Sequence, residues 1–453
     1  MQLRSNRLGS QNSAGMRAHS VPRASARLSD VPLPVAALLI TMLVPRELEF
    51  YLGVALTFQR LVLLVFLPIA FARLFMSRDL SVRSFDVLII SAFAYFWFTL
   101  FFKETLDKAL QSGSSQFIEA VGGYLIARVY IRSSIQFRAT VHLLFILVLI
   151  SGAAAAVEAI SHTNWVKEIS RTISGAAPLW VYDTRLGLRR ASASFDHPIH
   201  YGVFCAGVFG LVWFLERDFF KRILCAGCVG AALFFSLSAA PLIGMCLIIV
   251  GALWEHFTSV FPNRVWFTIG GAAALYLLAS AFSDRSPTRI LSTSLAFDAD
   301  NAYYRLAIWE YGTANVAQHP WIGVPLGTWE RPDWMYSSTV DHYWLLTAMH
   351  GGVPALVLYV LAIATLLRAV HLRRSGHEPL ERRECRYAWS SAVLVLCFVG
   401  MTVAFWREIE VFFVFCLGMG AWLADGRRPA GVGASRDRTI RPLTLQARKP
   451  DRY

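Results

Sequence analysis

Apolar blocks separated by short charged clusters recur along most of this 453-residue chain, and they constrain its fold more than any other feature. The blocks run to roughly 17–25 residues, the length that a helix needs to cross about 30 Å of hydrocarbon. Only 16% of the residues are charged, whereas a soluble domain has about 25%. The pattern excludes a disulfide-rich secreted domain and a single soluble enzyme. It predicts an all-α membrane protein that crosses the bilayer many times.

The positions of the blocks predict about 12 transmembrane helices. With the N-terminus inside, 29 of the 43 lysines and arginines belong to cytoplasmic segments, and 13 lie outside. Because short cytoplasmic loops are enriched in these residues, we predict that both termini are cytoplasmic. The predicted helices occupy residues 32–45, 51–72, 85–102, 117–131, 139–160, 199–215, 222–238, 240–256, 265–282, 343–367, 387–404 and 408–424.

This topology divides the chain into a transmembrane domain, residues 32–424, and two tails. The tails, residues 1–31 and 425–453, are basic, and we predict that they are disordered in the cytoplasm. Two predicted outside loops are long, 161–198 and 283–342, and the second lies between the ninth and tenth helices. Because long loops on a rigid scaffold are often functional, we expect the site there.

The second long loop contains a helix whose ends can be predicted from the sequence. The Asp-Asn pair at 300–301 suits an N-cap, and apolar side chains then recur at helical spacing. His319 precedes a proline, and a residue in that position avoids the helical region, so the helix ends there. Arg305 therefore lies in the first turns of this helix. His342 opens the next transmembrane helix, at the boundary between water and lipid.

Asp298 and Asp300 form an Asp-x-Asp pair like the metal-binding motif of enzymes that use nucleotide sugars. Capping of the following helix is the simpler explanation of the pair. No phosphate-binding loop of the form GxxxxGK[ST] occurs in the sequence. We therefore predict neither a metal nor another cofactor.

The chain resembles the superfamily of O-antigen ligases and Wzy-type polysaccharide polymerases in three stretches. RASASFDHPIHYG (190–202) is similar to the family's arginine followed by a His-Pro turn into a helix. NAYYRLAIWEYGTANVAQHPWIGVPLG (301–327) is similar to its Arg-x₃-Trp and His-Pro-x-x-Gly-x-x-x-Gly motifs. DHYWLLTAMHGGVPAL (341–356) is similar to its outside histidine and Gly-Gly pair, although Tyr343 stands where the family often has asparagine.

This resemblance implies a GT-C-like, all-helical enzyme of the bacterial inner membrane with its active site on the periplasmic side. It implies transfer of a glycan from an undecaprenyl-pyrophosphate-linked oligosaccharide to the hydroxyl of an acceptor glycan or glycolipid. Chain-length regulator and flippase proteins are the further partners expected in the lipid bilayer. A nucleic-acid partner is not expected, because the basic residues are accounted for by membrane topology.

Arg190, Arg305 and His342 are the predicted catalytic residues. The leaving pyrophosphate gains negative charge, and a guanidinium stays protonated and binds phosphate oxygens as a fork. An imidazole can act as the base for the attacking hydroxyl. Each residue also has a plainer explanation: Arg190 or His342 could be an interfacial side chain, and Arg305 could pair with Glu310 or lipid phosphate.

Four further residues are predicted to bind substrate. Arg189 is the alternative to its neighbour Arg190. Arg60 lies inside the second predicted transmembrane helix, where an ionisable group is costly, and it could instead pair with Glu119 or Glu158. The other two, His197 and His319, each precede a proline and could simply fix a turn.

Two classes of function remain open at this point. The first is an enzyme, more in the manner of an exopolysaccharide polymerase than of a ligase that attaches O-antigen to lipid A–core. The second is a transporter or flippase of lipid-linked glycan. A transporter would place broken helices and charges near the midplane, often in two related halves, whereas the polar clusters of this chain lie in the outside loops. The sequence leaves the sugar, linkage and acceptor undefined.

Overall fold

The computed structural model describes residues 26–51, 55–177, 183–258, 299–335, 337–372 and 378–425, and this part of the chain is mostly helical. The predicted ninth transmembrane helix, 265–282, and nearly all of both tails lie outside the described residues, as does Asp298. The described helices are α1 (Leu33–Thr41), α2 (Phe58–Met76), α3 (Ser84–Leu100), α4 (Leu106–Tyr130), α5 (Ser134–Ser161), α6 (Trp165–Ser174), α7 (Pro198–Leu215), α8 (Phe219–Phe234), α9 (Ala239–Phe257), α10 (Ala299–Gln318), α11 (Tyr343–Leu372), α12 (Leu380–Val399) and α13 (Glu408–Gly420).

Short elements complete the described fold. Three 3₁₀ turns cover Leu28–Asp30, Arg46–Leu48 and Ala421–Leu423. Two antiparallel hairpins join two-residue strands: β1 (Phe50–Tyr51) with β2 (Ala55–Leu56), and β3 (Thr184–Arg185) with β4 (Leu188–Arg189). The second hairpin lies in the predicted outside loop 161–198, whereas most of the first lies within the predicted helix 51–72, which is therefore wrong over its first residues.

Five of the described helices, α2, α5, α7, α9 and α11, are long and apolar enough to cross a membrane. The coarse prediction of a helical membrane protein is confirmed to that extent. The individual bounds differ in several places. The predicted helix 51–72 corresponds to α2, which begins only at Phe58, and the predicted helix 387–404 corresponds to α12, which begins at Leu380 and ends at Val399. The predicted helix 32–45 is represented by the nine residues of α1, and the predicted helix 117–131 is the second half of the 25-residue α4.

The amphipathic helix α6 was not predicted. It lies in the first long loop, and its apolar residues Trp165, Ile169 and Ile173 are 54%, 59% and 73% exposed. Their spacing places them on one stripe of the helix. An exposed apolar stripe of this kind suits a helix that lies in the membrane interface. We therefore expect α6 to rest on the bilayer surface.

Helix α11 is broken near its start. Gly352 has φ 73° and ψ 170°, which interrupts the helix, and the neighbouring segment 320–326 occupies the break. There Val324 N–H donates to the Met349 carbonyl at 2.6 Å, and Val353 N–H donates to the Pro320 carbonyl at 2.7 Å. Backbone groups that the break frees are thus satisfied by the second long loop, which fixes that loop on α11.

We expect Gly352→Ala to destabilise the protein by about 1–3 kcal/mol, the usual cost of a backbone conformation that only glycine adopts readily. An added Cβ would also lie under 3.0 Å from the Trp321 carbonyl oxygen. Thermal unfolding of the detergent-purified variant measures the effect. The matched control is Gly251→Ala, where the Cβ would meet no described atom within 4 Å and alanine is the better helix former. An equal melting temperature for the two variants would contradict the prediction.

Candidate functional site

The candidate site lies at one end of the helix bundle, here called the cavity end. The N-terminal parts of α2, α4, α11 and α13 meet the last turns of α3 there around a central cavity of about 390 Å³. The positive-inside pattern predicts that this end faces outward. The central cavity is lined by Arg60, Phe96, Gln111, Ser112, Ser115, Gln116, Glu119, Tyr343, Leu346, Thr347, His350, Phe405, Trp406, Arg407 and Glu410.

Arg60 lies on the wall of the central cavity and its side chain contacts α4. It lies in the first turn of α2, which Thr57 caps by accepting a hydrogen bond from the Arg60 N–H. Its Nε lies 2.6 Å from Glu119 Oε1, and its Nη1 donates to the Ala55 carbonyl at 2.8 Å. The ion pair with Glu119 that the sequence allowed is therefore present. Arg60 nevertheless lines the cavity, so the pair also places a guanidinium within reach of a ligand.

Arg407 is a second cavity arginine, and sequence reasoning missed it. It precedes α13 with a left-handed φ of 52°, a conformation that is uncommon for a residue with a side chain. Its Nη1 lies 2.8 Å from Asp196 Oδ2, in the first long loop. The available signal was the Arg-Glu-Ile-Glu sequence at 407–410, since charges at the start of an apolar segment suggest function.

Glu410 is a buried carboxylate on the wall of the same cavity, and it was also missed. The Tyr343 hydroxyl donates to Glu410 Oε1 at 3.2 Å, and Gln116 Nε2 approaches the same oxygen at 3.5 Å. Tyr343 is the residue that departs from the family pattern, and its hydroxyl connects α11 to α13. The central cavity thus holds two arginines and two carboxylates from three separate segments, α2, α4 and the start of α13.

Arg305 and His342 come together beside the first turn of α11. Helix α10 packs on α11 through a small apolar core that includes Ile308 and Leu345. This packing brings Arg305 Nε to 3.9 Å from Asp341 Oδ2. The carbonyl of His342 accepts from Leu346 N–H at 2.8 Å. His342 therefore lies one helical turn from a residue that lines the central cavity.

The imidazole of His342 is held in its neutral form. Burial, reinforced by the positive charge of Arg305, lowers the pKa of His342 to about 4. Its ring centroid lies 5.1 Å from that of Trp309, and no described atom hydrogen-bonds to its buried Nδ1. Burial raises the pKa of the adjacent Asp341 carboxyl, and Arg305 partly offsets that effect. A neutral imidazole has a free lone pair that can accept a proton, and its lowered pKa makes it a weaker base than an ordinary histidine.

A second, larger cavity of about 660 Å³ adjoins the central one, and we call it the peripheral cavity. Ala55 and Asp196 belong to its wall and accept hydrogen bonds from Arg60 and Arg407 of the central cavity. These hydrogen-bonded pairs therefore form part of the wall between the two cavities. The peripheral cavity is lined by Arg46, Glu47, Glu49, Phe50, Tyr51, Ala55, Asn164, Lys167, Ser174, Ala176, Ala177, Arg189, Ser192 and Asp196.

The adjacent arginines Arg189 and Arg190 have different surroundings. Arg189 lines the peripheral cavity, donates from Nη1 to the His162 carbonyl at 2.6 Å and has its Nε 3.7 Å from Glu158 Oε1. Arg190 is 8% exposed and donates from Nη2 to Ser238 Oγ at 3.1 Å. Of the two, Arg189 is thus the one that borders a described cavity.

The two predicted histidines that precede proline are held by local backbone contacts. His197 caps α7, since its Nδ1 accepts from the Ile199 N–H at 3.1 Å. Burial, with the nearby His200 and cations, lowers the pKa of His197 to about 3. His319 follows the last residue of α10 and is exposed. Its carbonyl accepts from Gly323 N–H at 3.0 Å, in the turn that leads into the break of α11.

The described residues thus form two neighbouring groups, one around the paired cavities and one around Arg305 and His342. Within the described ranges, no cluster of three or more His, Cys, Asp or Glu side chains could hold a metal ion. No protein-family model matches the chain, and no curated protein matches it. The chemistry of the cavity end is therefore the basis for assigning a function.

Proposed function

We propose that this protein is a membrane glycosyltransferase of the superfamily of O-antigen ligases and Wzy-type polymerases. In this proposal it has about 12 transmembrane helices with both termini in the cytoplasm, lies in the bacterial inner membrane, and has its cavity end in the periplasm. It moves a glycan from an undecaprenyl-pyrophosphate donor to an acceptor hydroxyl. The motif at 190–202 favours a polymerase of repeat units over a ligase to lipid A–core.

One observation carries the proposal: segments far apart in sequence bring cations and carboxylates to the same end of an apolar bundle. Arg60 comes from α2, Arg407 from the start of α13 and Arg305 from the second long loop. Ionisable groups in such positions are costly and usually functional. Their location at the end where water meets lipid suits a donor whose polyprenyl chain lies in the bilayer while its pyrophosphate and sugars lie in water.

The proposed reaction requires no cofactor, because the donor is already activated. The acceptor oxygen attacks the anomeric carbon and forms the new glycosidic bond, while the bond from that carbon to the pyrophosphate oxygen breaks. The proton of the acceptor hydroxyl passes to the neutral imidazole of His342. Arg305, together with Arg60 and Arg407 at the same end of the bundle, stabilises the negative charge that develops on the departing pyrophosphate.

A transporter of lipid-linked glycan is the second candidate, favoured by the break in α11 at Gly352. Discontinuous helices line the binding sites of many transporters. Here, however, the segment 320–326 occupies the break and hydrogen-bonds to both of its sides. The freed backbone groups are then used for packing, which supports the enzyme over the transporter.

Deleting the gene and sizing the lipid-linked glycans together with the surface polysaccharide separates these functions. Single repeat units accumulating on undecaprenyl pyrophosphate in the periplasmic leaflet, with long chains lost, would support a polymerase. Long lipid-linked chains that never reach their acceptor would support a ligase. Units that accumulate facing the cytoplasm would support the transporter and contradict the glycosyltransferase.

The pH dependence of transfer tests the role of His342. A base must be unprotonated, and the lowered pKa of about 4 leaves His342 neutral at every pH above that value. We therefore expect activity of the purified enzyme to be flat from about pH 6 to 8 and to fall as the pH drops toward 4.

Two variants of Arg305 test whether this acid limb belongs to His342. Arg305→Lys keeps a positive charge and should keep this profile. Neutral Arg305→Gln removes a charge that lowers the pKa, so its acid limb should move to higher pH. An acid limb unchanged in Arg305→Gln would count against the assignment.

A further inference from the structure

The opposite end of the bundle contains a third cavity, of about 540 Å³, that the proposed function does not use. It lies among the first turns of α5, the last turns of α7 and the start of α8, and we call it the inner cavity. By the positive-inside pattern this end faces the cytoplasm. Three of its lining residues, Arg138, His142 and Lys221, bear nitrogen groups, whereas Phe145 and Ile146 are among its apolar ones.

Arg138 supplies a hydrogen-bond donor without a described acceptor. The residue is only 7% exposed. Its Nη2 pairs with Glu384 and its Nη1 donates to the Leu215 carbonyl at 3.3 Å. Its Nε is buried, and no described atom accepts a hydrogen bond from it. The guanidinium of Arg138 thus lines the inner cavity with incomplete hydrogen bonding among the described residues, which is costly for a charged donor.

Counted over the charged lining residues and the ion pairs of Arg138, the inner cavity has an excess of one positive charge. Arg138 and Arg217 share the carboxylate of Glu384, so that group carries a net charge of one. Lys221 and Glu216, which also line the cavity, cancel each other. A single phosphate monoester or diester would balance the remaining charge and accept from the guanidinium.

We propose that the inner cavity binds one anionic glycerophospholipid from the cytoplasmic leaflet. The lipid phosphate would lie against Arg138 and Lys221, and an acyl chain would lie along Phe145 and Ile146 on α5. A free phosphate ion would leave the apolar wall unused, whereas a phospholipid fits both parts of the cavity. Basic pockets between transmembrane helices on the cytoplasmic side bind lipid headgroups in this way.

The test is native mass spectrometry of the full-length protein released from nanodiscs that contain phosphatidylglycerol and phosphatidylcholine. We expect one phosphatidylglycerol to be retained, and its dissociation constant to rise about tenfold in Lys221→Glu, which reverses one charge near the phosphate. Ile146→Trp, which narrows the acyl groove without a change of charge, should also reduce retention. Arg132→Glu is the matched control, because Arg132 is exposed at the same end and does not line the cavity.

Several outcomes would overturn the proposal. Equal retention of the two lipids would remove the preference for an anionic headgroup. An equal loss in Arg132→Glu would indicate a general effect of surface charge. Displacement of the lipid by inorganic phosphate, with no effect of Ile146→Trp, would indicate a site for a free anion. Retention that appears only after residues 1–25 are removed would assign the cavity to that segment of the chain.

Discussion

Replacing Arg305 or His342 by alanine is expected to lower glycan transfer by about 10²–10³-fold, the typical loss when one positioned group is removed from a charge-stabilising site. Arg305→Ala removes the guanidinium that lies 3.9 Å from Asp341, and His342→Ala removes the neutral imidazole. Arg305→Lys should recover only part of the activity, because an ammonium lacks the planar fork that binds two phosphate oxygens. Transfer is measured with purified protein and a lipid-linked donor.

The matched control is Arg171→Ala in the first long loop. Arg171 pairs with Glu168 one turn away on α6 and donates to the Ala177 carbonyl at 2.7 Å, so it should matter little to transfer. Membrane levels and melting temperatures should remain close to those of the wild type in all the variants. Activity of the wild-type level in both Arg305→Ala and His342→Ala would remove the basis of the assigned site.

The sequence was informative wherever a helix is defined by its own hydrophobicity. The five membrane-length helices, α2, α5, α7, α9 and α11, each overlap a predicted helix, because an apolar run of sufficient length needs no other information. Helix α4 shows the limit. Its first half, residues 106–116, is polar and was predicted to be loop, yet it is helical and carries Gln111, Ser112 and Ser115 to the central cavity. Tertiary packing around a polar cavity, and not the hydrophobicity of the segment itself, makes residues 106–116 helical.

The site was predictable only where one residue was unusual for its surroundings. Arg60 stood out as a charge within an apolar block, and its pair with Glu119 was one of two that the sequence allowed. Arg407 lies next to the end of a predicted helix, where a charged residue is ordinary, and the sequence therefore does not single it out. In the structure it pairs with Asp196, 211 residues away in the sequence. Partners so distant in sequence cannot be inferred from local spacing, and the cavities that they border cannot either.

The largest expected loss of stability comes from the opposite end of the bundle, where Arg128 is fully buried. Its Nε lies 3.0 Å from Asp86 Oδ1 and its Nη1 lies 2.8 Å from Asp425 Oδ2. Its Nη2 also donates to the Ser81 carbonyl at 3.2 Å. Arg128→Ala would leave the buried carboxylate of Asp86 without its cation, and losing one partner of such a pair costs about 3–5 kcal/mol.

We therefore expect Arg128→Ala to reduce the amount of folded protein in the membrane and to lower its melting temperature strongly. The double variant Arg128→Met/Asp86→Asn should be less destabilised than the single one, because it leaves no buried charge at residue 86, while the partly exposed Asp425 keeps Arg83 at 3.6 Å. Arg73→Ala is the control, since Arg73 is exposed and lies 5.0 Å over the Tyr130 ring, a contact worth about 0.5–1 kcal/mol at an exposed site. If the single and double variants were equally destabilised, the cost would lie in lost packing around residue 128, and the unpaired Asp86 carboxylate would not be its cause.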